Sequence, residues 1–173
     1  EHRDTLENEL MAALSGGVTR LVLPPDTDPT LDEPALVEML KHRARMLNQT
    51  YVYPLGAMTK GLEGEQITEM AELTRAGCIA FSQANRPLPD LGTLKQCMQY
   101  AKGFDYSLWV RPHERTLTGN GVAASGEVAT RLGLASIPVQ SETIALHALF
   151  ELQRSIGVRL HICRISSAQG VDL

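Results

Sequence analysis

Apolar residues along this chain follow two alternating rhythms. Stretches with apolar positions three and four apart give way to short, nearly continuous apolar runs of strand length, and the exchange repeats from end to end. Leu6, Leu10, Ala13 and Leu14 share one helical face, which Gly16 and Gly17 bring to a stop. A strand is expected over 18–23. Asp32 and Pro34 mark the next helix start, and Leu36, Val37, Leu40, Ala44 and Leu47 form its buried stripe. A second strand over 50–57 leads to a helix that turns Ile67, Met70, Ala71 and Leu73 towards the core. The third strand, over 77–82, precedes a helix capped by Asp90 and carrying Leu91, Leu94 and Met98. A fourth strand covers 107–111, after which 112–125 reads as one long loop of small and polar residues. A last helical region near Glu142–Ile156 runs into a fifth strand over 158–165. Helices alternating with strands in this way signal βα units and an α/β fold with a parallel sheet. There is no internal repeat beyond that rhythm and no low-complexity segment.

Composition narrows the class of function. A chain of 173 residues can bury one sizeable core, and its 43% hydrophobic and 21% charged content is that of a soluble globular domain. A net charge of −4 argues against nucleic acid as the main partner, since phosphate binding needs a basic face. The longest apolar runs are strand-sized, so no membrane helix is expected, and no basic-then-apolar leader opens the chain. Cys78, Cys97 and Cys163 are odd in number and lack paired spacing, so they read as free thiols of a cytoplasmic protein.

The chemistry lies where the strands end. The third strand runs into Ser82-Gln83-Ala84-Asn85, the fourth into Arg111-Pro112-His113, and the fifth into Cys163-Arg164-Ile165-Ser166-Ser167. Two other stretches stand out: Gly56-Ala57-Met58-Thr59-Lys60-Gly61-Leu62-Glu63-Gly64-Glu65, and Gly126-Glu127-Val128-Ala129-Thr130-Arg131-Leu132-Gly133-Leu134. With Leu23-Pro24-Pro25-Asp26-Thr27-Asp28-Pro29 after the first strand, these motifs stand in the order and spacing of the dihydroorotases of the amidohydrolase superfamily. The chain resembles that family along nearly its whole length.

The resemblance implies a TIM (β/α)₈-barrel fold, of which about five βα units lie in this chain. A closed barrel needs eight strands and about 250 residues, so 1–173 corresponds to the central part of a single barrel domain. An open fragment leaves sheet edges unpaired, which implies a longer native chain or association with itself. In active relatives the three strand ends supply aspartate, histidine and histidine to zinc; here the matching positions hold Gln83 with Ala84, Arg111 and Arg164. Arginine is a donor-only cation and cannot ligate a metal, and a neutral amide is a poor ligand. The family's carboxylate-binding asparagines correspond to Asp26 and Asp28, which would repel an anionic substrate. Metal and substrate positions are thus altered together, and no catalytic residue, metal or cofactor is expected.

His113 and His161 lie close enough in sequence to be considered as substitute ligands. Strand alternation places Arg164 on the face of Leu160 and Ile162 and His161 on the other, which disfavours the substitution. Arg111 and Arg164 could instead pair with Asp26 or Asp28, or all four could be solvated. His42 and His147 fall on helices in surface or half-buried roles, His2 lies near a terminus, and Lys60 serves its turn. Three functions stay open. The first is a catalytically inactive homologue of pyrimidine biosynthesis that holds aspartate carbamoyltransferase subunits together, as the resemblance implies. The second is an active zinc-dependent cyclic amidohydrolase. The third is a sensor binding phosphate or carboxylate through Arg111 and Arg164.

Overall fold

The computed structural model describes residues 5–173; His2 lies outside the described residues. Helix α1 (Leu6–Ser15) leads to β1 (Arg20–Leu23), α2 (Pro34–Leu47) and β2 (Tyr51–Ala57). A single 3₁₀ turn at Lys60–Leu62 precedes α3 (Met70–Ala76), β3 (Ala80–Ser82), α4 (Leu91–Gly103) and β4 (Ser107–Val110). The second half holds α5 (Arg115–Thr118), β5 (Ala123–Ala124), α6 (Glu127–Arg131), β6 (Ser136–Ile137), α7 (Gln140–Ile156), β7 (Arg159–Ile162) and α8 (Ala168–Val171).

Five strands form one sheet in the order β1-β2-β3-β4-β7, all parallel, with the short β5-β6 pair as a separate ribbon. This is a partial (β/α) barrel. Each crossover returns a helix to the same face, and the core lies between that face and the helices: Phe81, Leu108 and Val110 from the strands meet Val37, Leu73, Leu94, Met98 and Leu149. Leu160 and Ile162 of β7 pack on the same core. The alternate strand residues face the other way, and there Val22, Tyr51 and Tyr53 stay exposed while Trp109 stacks on His161 with ring centroids 4.4 Å apart. In β1, β4 and β7 strand alternation therefore decides which residues face the core, while β3 and the end of β2 are buried on both faces.

Most local expectations are met where the periodicity is long. Asp90 caps α4, accepting from Gly92 N and Thr93 N. His42 and His147 are exposed on α2 and α7, and all three cysteines are free, with Cys78 and Cys97 buried. Burial pushes both of those thiols up to about 12. Among the described residues no helix is long and apolar enough to cross a membrane.

Several details differ from the sequence reading. The stretch 112–125 is not one loop, because it contains α5 and β5, elements of four and two residues too short to carry a periodic signal. Asp32 does not cap α2; Glu33 holds the cap position, and the Asp32 carboxylate accepts Gly61 N at 2.8 Å, tying two strand-end loops together. Ile67 precedes α3 and bridges to Thr59 rather than lying on the helix. The fifth strand ends at Ile162, three residues earlier than expected, so its alternation does not reach Arg164.

Candidate functional site at the strand ends

In a parallel sheet every strand delivers its carboxyl end to one rim, and the loops there can converge on a ligand. The rim of this sheet is built by residues 24–33, 58–69, 83–90, 111–114 and 163–167.

Gln83 follows β3 and is almost wholly inaccessible at 1% exposure. Its amide nitrogen donates to Thr59 Oγ1 at 2.9 Å and to the Leu62 carbonyl at 2.9 Å, and Thr59 Oγ1 also lies 3.1 Å from Gln83 Oε1. Gly64 N donates to the same hydroxyl at 3.0 Å. Gln83 is thus consumed in fastening the 59–64 turn to β3. Lys60, exposed within that turn, takes part through its backbone, donating to the Gln66 carbonyl at 2.8 Å. Ala84 has no donor or acceptor on its side chain, and its N–H donates to Ser82 Oγ at 3.0 Å.

Ala84 and Arg164 both sit in the left-handed region, with φ of 52° and 59°. Aspartate, asparagine and histidine adopt that region several-fold more readily than other side chains apart from glycine. Left-handed backbone is thus occupied at two positions by side chains that have no preference for it. At Arg164 the left-handed turn also swings the side chain out of the strand's two-face pattern, and the guanidinium donates to Asn85 Oδ1 in the loop after β3.

Arg111 follows β4 and is half-buried. No hydrogen bond or ion pair is formed by its side chain among the described residues. It lines a cleft of about 830 Å³ with Pro112, His113, residues 122–125, residues 137–142, Ser166, Ser167 and Gln169. His113 stands beside it, both ring nitrogens buried and without a hydrogen-bond partner. Burial, then the Arg111 charge, hold its pKa below the ordinary histidine value, against a weaker opposite pull from Glu114 and the Asn85 backbone. Burial and the neighbouring guanidinium thus both favour the neutral imidazole.

One residue packed beside this rim carries a role that its sequence position did not suggest. Glu142, in the first turn of α7, is 9% exposed and accepts Ser166 N at 2.8 Å, Ser166 Oγ at 2.7 Å, Ser167 N at 3.0 Å and Ser167 Oγ. Burial alone would raise its pKa, but these four donors together hold it below the ordinary glutamate value. Nearby, the Ser141 and Thr118 hydroxyls share a hydrogen bond, and Ser141 Oγ donates to the Glu114 carbonyl at 3.1 Å. The start of α7 thus holds the loops after β4 and β7 together. The Ser166-Ser167 pair before α8 was the available signal.

The pairing of Arg111 or Arg164 with Asp26 or Asp28 is not made. Ion pairs among the described residues join Glu72 to Arg75, Glu151 to Arg154 and Asp105 to Arg159. The reason is topological: Asp26 and Asp28 follow β1 at one edge of the sheet, and β2 and β3 stand between that strand and β4. Arg111 and Arg164 differ in their surroundings. Their strands are neighbours, with Val110 opposite Ile162, but only Arg111 lines the cleft.

A zinc centre of the kind the resemblance implies does not fit these residues. Gln83 is spent on Thr59 and Leu62, Ala84 offers no lone pair on its side chain, and two guanidinium groups would repel a divalent cation. His161 is stacked on Trp109 on the exposed sheet face, and no group of three or more His, Cys, Asp or Glu side chains among the described residues is placed to hold a metal ion.

Comparison with known proteins agrees with this architecture. The family profile described as dihydro-orotase-like matches residues 1–170. A dihydroorotase-like protein of Pseudomonas putida is 41% identical over 171 residues, covering 99% of this chain and 40% of the relative. A dihydroorotase of Thermoanaerobacter sp. (strain X514) is 39% identical over 173 residues, covering 100% of this chain and again 40% of the relative. The chain thus spans about two fifths of the length of these relatives. Among solved structures, the L-hydantoinase (dihydropyrimidinase) of Arthrobacter aurescens superposes with a TM-score of 0.76 at 20% identity, covering 97% of this chain and 39% of that one. Dihydroorotase of Saccharomyces cerevisiae superposes with a TM-score of 0.63 at 13% identity, covering 89% and 42%. Both likenesses concern the fold.

Proposed function

Because the chain belongs to the dihydroorotase-like family, we propose that it is the central part of a catalytically inactive barrel of pyrimidine biosynthesis. In this reading the protein works in the cytoplasm, forms a homo-oligomer and serves as a structural partner of aspartate carbamoyltransferase subunits. The observation that carries the reading is the combination at the strand ends. Ala84 and Arg164 stand on left-handed turns at the strand ends, and neither side chain can bind metal. A lost metal centre need not damage the outer surfaces that bind a partner.

A second reading is an active zinc-dependent dihydroorotase or related cyclic amidohydrolase. It draws on relatives that bear the name dihydroorotase at 39% and 38% identity, and it needs metal ligands other than Gln83, Ala84, Arg111 and Arg164. The two readings part on one pair of measurements. Elemental analysis of the intact protein, with a dihydroorotate hydrolysis assay on the same sample, is expected to give no stoichiometric zinc and no turnover above the uncatalysed rate. Stoichiometric zinc with hydrolysis would make the second reading the right one.

A further inference from the structure

Arg111 is an uncompensated charge in a built cleft. Its guanidinium has five N–H donors in a fixed fork, and its nitrogens stay open to the cleft rather than sealed in the interior. Arg111 forms no hydrogen bond or ion pair among the described residues. Its neighbour His113 has both ring nitrogens buried and unpartnered, so the histidine does not satisfy the guanidinium. The cleft of about 830 Å³ has the size of a small-molecule site. Val122, Ile137 and Val139 give it an apolar wall.

We propose that this cleft binds a small organic monocarboxylate, its carboxylate on the Arg111 guanidinium and its apolar body against Val122 and Ile137. Charge selects the class. Among the described residues the cleft is lined by one cation, Arg111, and one anion, Glu142, whose oxygens are already filled by Ser166 and Ser167. A single guanidinium matches a carboxylate in charge and in bidentate geometry. A phosphate dianion would keep an uncancelled charge beside Glu142, and no glycine-rich loop is present to supply backbone N–H groups to it. Arg164 is not part of the site, because its guanidinium is held by Asn85 outside the cleft.

The test is calorimetric titration of the intact protein at low ionic strength, with benzoate as the probe and inorganic phosphate in a separate arm. Benzoate is expected to bind saturably with a dissociation constant of about 1 mM or tighter, and phosphate at least about tenfold more weakly. Arg111→Gln should weaken benzoate by about tenfold or more, Arg111→Lys by less because the charge stays while the paired N–H geometry goes, and Arg164→Gln should leave it unchanged. Urea unfolding of each variant shows whether it is folded; if Arg111→Gln is not, the comparison of Arg111→Lys with Arg164→Gln decides. Absence of saturable benzoate binding, equal binding by wild type and the folded Arg111 variants, or phosphate binding as tight as benzoate would each overturn the proposal.

Discussion

Phe81→Ala should lower the unfolding free energy by about 3–5 kcal/mol, the range for deleting a buried aromatic ring. Phe81 lies in the middle of β3, is fully buried, and meets the Tyr106 ring at a centroid distance of 5.4 Å. Its ring also lies directly over Gly56 of the neighbouring strand: a Cβ added there would come within 2.8 Å of Phe81 Cε1 and 3.2 Å of Leu73 Cδ1. The two positions are thus one packing unit, a ring seated where its neighbour has no side chain. It follows that Gly56→Ala should cost about 1–3 kcal/mol alone, by overpacking, and much less in the Phe81→Ala background, where the space is open. Urea unfolding of the two single variants and the double variant gives the coupling directly. Strict additivity would show that the ring and the glycine do not share that space.

Glu142→Ala should cost about 3 kcal/mol at neutral pH, because it strands two backbone N–H groups and two hydroxyls in a largely buried site. The neighbouring Gly170 belongs to the same cage, since a Cβ there would lie 2.4 Å from Glu142 Oε1. The loss also has a pH signature. A carboxylate whose folded pKa lies below its unfolded value adds stability above the unfolded value and loses it as pH falls through the folded one. Glu142→Gln, which keeps the shape but not the charge, should therefore differ most from wild type at neutral pH. The two should converge as pH drops below the ordinary glutamate range. A difference that stays constant across that range would mean that the four donors do not depend on the ionised carboxylate.

The sequence made the sheet legible because five βα units each repeat a long apolar pattern. Val37 and Ala44 on α2, or Leu108 and Val110 on β4, are buried where periodicity puts them. Elements of two to four residues carry no period, so α5, β5 and β6 escaped notice. That Arg111 and Arg164 cannot ligate a metal could be read from residue type alone, since arginine chemistry does not depend on context. Their geometry could not. Gln83 is a buried link to Thr59, which a 24-residue separation hides, and Arg164 leaves its strand through a left-handed turn that favours no arginine. Pairing with Asp26 or Asp28 and separate solvated charges could not be told apart in the sequence, since a motif after β1 says nothing about how many strands separate it from β4. Glu142 looked like an ordinary helix charge because its four donors lie at least 24 residues away.

The proposed role is tested most directly by sizing aspartate carbamoyltransferase purified with and without the intact protein. The account predicts co-purification, and a smaller or unstable transferase assembly when the protein is left out. Returning the strand ends to aspartate, histidine and histidine at 84, 111 and 164 should not change that assembly, because these residues lie on the rim and not on the outer helices. A transferase that reaches the same size and activity without this protein would contradict the account.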